Sequence, residues 1–357
     1  MKKILALVLA LAMVATFAAC GVKTPDAEYK LGMATVVSLD ESKDGTAQAD
    51  VTVATVVTDA DGKIVACDID VAQTKVTVKD GVVDKTNVDL RTKTEKGADY
   101  GMAAAVNYGM DWNGDGVVKE WDAQAAEFEK YVIGKTAADV AAIQTKEVEG
   151  KGYIIPADEA LLTAGCTIQV TDFIKAIEAA CKDETAKTFT AAEGFKLGLA
   201  IKTSVADSTD ATDDAAASVC LYSDYAATVV DAEGKVLAVI IDAVQPKVAV
   251  AKDGTIGEKS FKNTKRGLKD EYGMAAAVNY GMDWNGDGVV KEWYAQAKVL
   301  EDYMVGKTSA DISAIKTKEV EGKGYIIPDV ADLLDAGCTI QISSYVAAVT
   351  GAIANAD

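Results

Sequence analysis

One string of residues occurs twice in this chain. Tyr100 to Trp121 reads YGMAAAVNYGMDWNGDGVVKEW, and Tyr272 to Trp293 repeats it without a change, 172 residues further on. The same offset joins DADGK at Asp59 to DAEGK at Asp231, KEVEGKGYIIP at Lys146 to its copy at Lys318, and AGCTI at Ala164 to Ala336. Tyr29-Lys30-Leu31-Gly32 corresponds to Phe195-Lys196-Leu197-Gly198, so the second copy carries six extra residues in its first loop. Two units of about 160 residues are too few and too long for a solenoid. The chain therefore reads as two homologous tandem domains, at residues 29–182 and 195–357, with a polar linker over 183–194.

Within a copy the periodicity changes halfway. Val51, Val53, Thr55 and Val57 alternate on one strand face, Asp59 to Gly62 forms a turn, and Ile64 to Cys67 returns as a second strand. Lys75 to Val78 reads as a third strand. Trp121, Ala125, Phe128 and Val132 then fall at helical spacing, as do Trp293, Ala297, Leu300 and Met304. Thr136 to Asp139 and Thr308 to Asp311 have the form of capping boxes. Thr167 to Val170 is expected as a last strand, followed by a helix with Phe173, Ile174, Ile177 and Ala180 on one face. Strands first and helices later predict an α+β fold, each domain an antiparallel sheet packed with helices from its C-terminal half.

Composition narrows the chemistry. None of the 357 residues is histidine, which removes His-based nucleophile systems, His-ligated zinc and His acid–base catalysis. With 36 Lys and Arg against 55 Asp and Glu, the formal charge is −19, opposite to what nucleic acid demands. The chain is not expected to be an enzyme in its own right. Binding, electron carriage through a cofactor, cation binding and structural roles stay open.

The N-terminus is read as an address. Lys2 and Lys3 precede an apolar run from Ile4 to Ala19 that is short for a membrane span of about 20 residues. The run ends in Phe17-Ala18-Ala19-Cys20-Gly21, which resembles the lipobox of bacterial lipoproteins. That resemblance implies removal of residues 1–19 and acylation of Cys20. Residues 20–28 would tether an exported protein, anchored in the lipid bilayer of the cell membrane and facing outside the cytoplasm. Loss of Lys2 and Lys3 takes the charge from −19 to −21. The other five cysteines, Cys67, Cys166, Cys181, Cys220 and Cys338, are odd in number and lack CxxC spacing, so most of them read as small buried apolar residues.

Two motifs carry candidate chemistry. The junction LLTAGCTIQV from Leu161, with LLDAGCTIQI from Leu333, resembles the D-x-x-[ST]-G-A-T segment of the FMN-binding domain family. The resemblance implies FMN as cofactor, a flavin transferase and electron-transfer partners, and an extracytoplasmic electron carrier. Gly165 and Gly337 match the motif's Gly, and Thr167 and Thr339 its flavin-bearing Thr. Ala164, Cys166 and Leu161 depart from it, as do Ala336, Cys338 and Leu333. A helix opening after this junction, capped by Thr171 or by Ser343 or Ser344, would offer N–H groups to a phosphate.

The second motif is DWNGDG, whose Asp111, Asn113 and Asp115, with Asp283, Asn285 and Asp287, follow the D-x-N-x-D-G opening of a Ca²⁺ loop. Asp122 supplies its twelfth position in copy 1, and Tyr294 stands there in copy 2. A cofactor-free structural or ligand-binding surface lipoprotein stabilised by calcium is the alternative reading. Tyr100, Tyr108, Trp112 and Trp121, with their second-copy partners, are candidates for an aromatic platform, and Trp121 is expected in the core.

Overall fold

The computed structural model describes residues 26–192 and 194–357. The expected signal peptide and the lipidation site expected at Cys20 lie outside the described residues. Copy 1 opens with β1 (Ala27–Ser38), β2 (Thr46–Thr58), β3 (Ile64–Lys79) and β4 (Val82–Val83). Helices α1 (Trp121–Val132) and α2 (Ala137–Ala141) follow, then a small hairpin of β5 (Thr145–Glu147) and β6 (Ile154–Pro156). The copy ends with α3 (Glu159–Thr163), α4 (Thr171–Cys181) and β7 (Lys187–Ala191). The fold is α+β, with antiparallel sheets in the order β4-β3-β2-β1-β7 and β5-β6.

Copy 2 repeats the plan with two breaks. Its strands are β8 (Lys196–Ser204), β9 (Ala217–Cys220), β10 (Tyr222–Val230), β11 (Val236–Val244), β12 (Lys247–Val250) and β13 (Ile256–Ser260). The long strands β2 and β3 of copy 1 correspond here to two pairs, β9 with β10 and β11 with β12, in sheets ordered β11-β10-β8 and β13-β12-β9. The second break lies at Pro246, where copy 1 has Thr74. Proline has no N–H for the ladder. Its carbonyl still accepts the Leu221 N–H at 3.0 Å, across the first break. The chain then forms α5 (Trp293–Met304), α6 (Ser309–Ser313), β14 (Thr317–Val320), β15 (Tyr325–Pro328), α7 (Ala331–Asp335) and α8 (Ser343–Asn355). No helix among the described residues is long and apolar enough to cross a membrane.

The anticipated stripes are the buried faces. Trp121, Ala125, Phe128 and Val132 pack with Phe173, Ala176 and Ile177 against one face of the copy 1 sheet, and copy 2 builds the matching cluster from Trp293 to Ala352. Both capping boxes form, with Asp139 and Asp311 accepting the N–H of Thr136 and Thr308. The DADGK turn closes on Asp59, which accepts the N–H of Asp61 and Lys63 at 2.9 Å each.

Three expectations are corrected. The separate strands at 64–67 and 75–78 are one strand, β3. Thr167 to Val170 is not a strand, because the Thr167 N–H goes to a glutamine side chain rather than to a ladder. The stretch read as a linker contains β7, which pairs with β1 and buries Phe189 against Tyr29 and Phe195 at ring distances of 5.7 and 5.4 Å.

The other face of each sheet is buried against the other copy. Val51, Val53, Val57 and Val76 share a single core cluster with Leu199, Tyr225, Ile240 and Val248. Polar links cross the same boundary: the Thr35 hydroxyl donates to the Tyr225 hydroxyl at 2.8 Å, the Gly45 N–H to the Gly254 carbonyl at 2.9 Å, and the Ala211 N–H to the Gly81 carbonyl at 2.8 Å. The copies are thus not independent beads.

Helix and sheet meet most closely at two glycines. A Cβ on Gly32 would lie 2.1 Å from the Ala180 carbonyl oxygen, and one on Gly198 2.1 Å from that of Ala352. Gly32→Ala or Gly198→Ala is expected to destabilise by about 1–3 kcal/mol through overpacking, read as a lower urea midpoint at an unchanged slope.

Burial also leaves the copies unequal in charge. Glu301 accepts the Ile241 N–H at 2.9 Å and pairs with Arg266 and Lys187, each at 2.6 Å. Its counterpart Glu129 accepts the Ile69 N–H at 2.8 Å but has Thr94 where copy 2 has Arg266, and Asp68 stands where copy 2 has Ile240. Burial, then Asp68 and more weakly Asp357 and Asp70, push the Glu129 carboxyl up to about 8. Burial and then Asp70 push Asp68 up to about 7. The folded state holds these protons where the unfolded chain, with carboxyls near 4, has released them. Stability is therefore expected to fall as pH rises from about 4 through 7–8. Thermal melts at pH 5.5 and 8 should show the drop, and Glu129→Gln should shrink it. An equal drop in that variant would refute the assignment.

Candidate functional site

Thr167 of the GCT junction meets Tyr100, Trp112 and Trp121 of the repeated string around a cavity, and Thr339 meets their counterparts around another. The construction starts at α1. Glu120, just before it, does not cap its own helix. Its carboxylate accepts the N–H groups of Met102 and Ala103, at 2.8 and 3.1 Å, and so pins the 3-10 turn Met102–Tyr108 above the helix start. Gln124, one turn in, donates to the Lys119 carbonyl at 2.8 Å and accepts from the Thr167 N–H at 2.7 Å and hydroxyl at 3.2 Å. Copy 2 repeats each bond with Glu292, Gln296 and Thr339. The junction is thus held to α1 by a buried amide side chain.

Below the turn, Thr92 caps a single helical turn whose first residue is Lys93. The Lys93 ammonium lies 5.3 Å from the Tyr100 ring and 5.4 Å from that of Trp121, and burial pushes its pKa down. Lys265 sits likewise, 5.3 Å from Tyr272 and 5.8 Å from Trp293, and also 4.9 Å from Tyr222. Trp112 stacks at a tilt on Tyr153 with ring centres 5.9 Å apart, as Trp284 does on Tyr325. The cavity of copy 1, about 260 Å³, lies between Lys93, Tyr100, Trp112, Trp121, Tyr153 and Thr167. That of copy 2, about 450 Å³, lies between their counterparts and extends to Tyr222, Ser343, Ser344 and Tyr345.

The flavin-motif residues separate in space. Thr167 and Thr339 line the cavities. Gly165 and Gly337 do not; they pass under the side chains of Lys119 and Lys291, which a Cβ would approach to 3.1 Å. The intervening Cys166 and Cys338 are buried, which pushes each thiol up to about 12. Helices α4 and α8 start one residue earlier than a Thr171 or Ser343 cap requires, and α8 two earlier than a Ser344 cap: the capping positions are Val170 and Ile342, with no side-chain cap. An FMN held by Gly165 together with Thr167 does not fit this geometry, because the two face different surroundings and the Thr N–H is already spent.

The DWNGDG segment closes on itself. Asp111 accepts the Gly114 and Gly116 N–H groups at 2.9 and 2.8 Å, and Asp115 accepts the Val117 N–H at 2.8 Å. Asn113 donates to Asp115 at 2.9 Å and to the Leu162 carbonyl at 3.0 Å, which ties the loop to α3. Asp283, Asn285 and Asp287 repeat these bonds. Among the described residues, no group of three or more Asp, Glu, Cys or His side chains is placed to hold a metal ion. Asn113 and Asp122 each bury one oxygen without a partner. The closed loop also carries Trp112 to the cavity wall.

Comparison with protein-family models, with curated proteins and with solved structures found no match.

Sequence reasoning grouped Tyr100, Tyr108, Trp112 and Trp121 and flagged Thr167 separately; the cavity brings Tyr100, Trp112, Trp121 and Thr167 together. Tyr108 and Tyr280, 80% exposed, stay outside it. It missed Tyr153 and Tyr325, which sit in the repeated KGYIIP run, and Lys93 and Lys265. It also missed Gln124 and Gln296, whose signal was a polar residue on the apolar helical stripe. Gln124→Leu would strand the Thr167 N–H and the Lys119 carbonyl, and is expected to cost about 1–3 kcal/mol in urea denaturation.

Proposed function

We propose that this protein is an exported, lipid-anchored carrier built from two homologous tandem domains, each binding a planar small molecule of the flavin type without a covalent bond. One observation carries the reading: the same aromatic slot, a tilted Trp–Tyr pair beside a second Tyr and Trp, is built twice, with Thr167 or Thr339 in its wall. Concave, mostly apolar sites of about 300–1,000 Å³ with a few polar anchors are the usual form of small-molecule sites. The copy 2 cavity falls in that range and the copy 1 cavity just below it. A flat conjugated ring gains from offset stacking on such walls.

A covalent FMN ester at Thr167 or Thr339 is the less supported form, since each hydroxyl already bonds a glutamine. A bound flavin would supply the redox chemistry that a chain without histidine does not, and make the protein an electron carrier outside the cytoplasm. Acylated Cys20 would hold it on the membrane.

Titrating the mature protein with FMN and lumiflavin should quench its tryptophan fluorescence, and Trp284→Ala should weaken binding at one site by about tenfold or more. Absence of binding by both flavins would overturn the reading. Co-expression with a flavin transferase should leave the intact mass unchanged; added FMN mass would restore the covalent form.

A further inference from the structure

The walls of the two cavities are copies, but their floors are not. Tyr100, Met102, Trp112 and Trp121 recur as Tyr272, Met274, Trp284 and Trp293 in the string that did not change. At the floor, Asp50, Thr52, Asp172 and Phe173 of copy 1 become Tyr222, Asp224, Ser344 and Tyr345 in copy 2. Of these, Tyr222, Ser344 and Tyr345 line the copy 2 cavity, whereas none of the copy 1 residues lines its own. Asp50 is spent on two amide donors, Gln48 and Gln73, at 2.7 Å each.

In copy 2 the Lys265 ammonium donates to the Tyr222 hydroxyl at 2.9 Å, and that hydroxyl lies 3.3 Å from the hydroxyl of Tyr345. No carboxylate lies within salt-bridge distance of Lys265 among the described residues, although Asp207 also lines the cavity. Beneath the cluster and outside the cavity lining, the carboxyl of Asp224, only 3% exposed, faces the hydroxyls of Ser344, Tyr222 and Tyr345.

We propose that the copy 2 cavity contains a second subsite, absent from copy 1, for a hydroxylated chain ending in an anion such as a phosphate monoester. Lys265 meets the anion, with the hydroxyls of Ser343 and Ser344 beside it. The hydroxyls of Tyr222 and Tyr345, which also line the cavity, bond the chain hydroxyls. The extra volume of copy 2, about 450 against about 260 Å³, is the room for that chain. Copy 1 takes the ring alone. The inference rests on the flavin reading, and the probes separate the two.

Calorimetric titration of the mature protein with lumiflavin, riboflavin and FMN is the test. Lumiflavin should occupy two sites with similar affinity. FMN should exceed lumiflavin by about tenfold or more at one site only. Lys265→Met should abolish that excess, with lumiflavin binding at the unaltered copy 1 site as the control for folding. Tyr345→Phe, which keeps the ring and mirrors Phe173, should reduce it, so that a folding failure of the lysine variant does not decide the matter. Equal FMN affinity at both sites, or an excess that survives in folded Lys265→Met protein, would overturn the subsite and leave the flavin reading standing. Absence of lumiflavin binding at either site would overturn both.

Discussion

The burial of one sheet face against the other copy is the constraint from which the rest of the structure follows. Each sheet has helices on its outer face and the other copy's strands on its inner face. A strand covered on both sides cannot alternate cleanly between apolar and polar residues. That is why β2 is buried at nearly every position after Asp50, and why Thr55, on the inner face, spends its hydroxyl on the Gly32 carbonyl at 3.0 Å. A single copy released from the other would expose a face of valines, so the duplication is a condition of stability as well as a doubling of sites.

The cavities depend on that sandwich indirectly. With the inner face occupied, α1 and α4 must cover the outer one, and Gly32 lets α4 lie on β1 at a separation that any Cβ would forbid. The start of α1 then fixes the cavity. Its first residue, Trp121, forms one wall, Glu120 holds the turn above, and Gln124 holds the junction opposite. The apolar stripe that secures the helix is the same surface that shapes the slot, so a core residue and a binding residue are here one side chain.

Much of the fold was legible in the sequence. Helix spans, capping boxes and the DADGK turn came through because each is set by a few neighbouring residues. The merging of two strands into β3, and β7 inside an expected linker, were not legible, since both are decided by pairing with distant partners. Thr167 to Val170 has the composition of a strand but lacks one because Gln124, 43 residues away, takes the N–H that would begin it. For the site, the residue types were found and the geometry was not. Gly165 and Thr167 are two positions apart in sequence, yet Lys119 covers one and Gln124 engages the other. Spacing within a motif does not say which way a turn faces.

Divergence between the copies runs along the same division. Where one side chain both packs and lines the slot, as in the string from Tyr100 to Trp121, the copies stay identical. Where a residue lies under the cavity, they part: Asp50 against Tyr222, Thr52 against Asp224, Phe173 against Tyr345. The charge network parts as well. Glu301 is clamped by Arg266 and by Lys187 from β7, whereas Glu129 lies beside Asp68 without such a cation. Lys187 belongs to a strand paired with the copy 1 sheet, so the copy 2 clamp draws one of its cations across the shared boundary. Each repeat therefore completes the other's core while keeping a floor of its own, an arrangement that holds the architecture constant and leaves the polar end of each cavity free to differ.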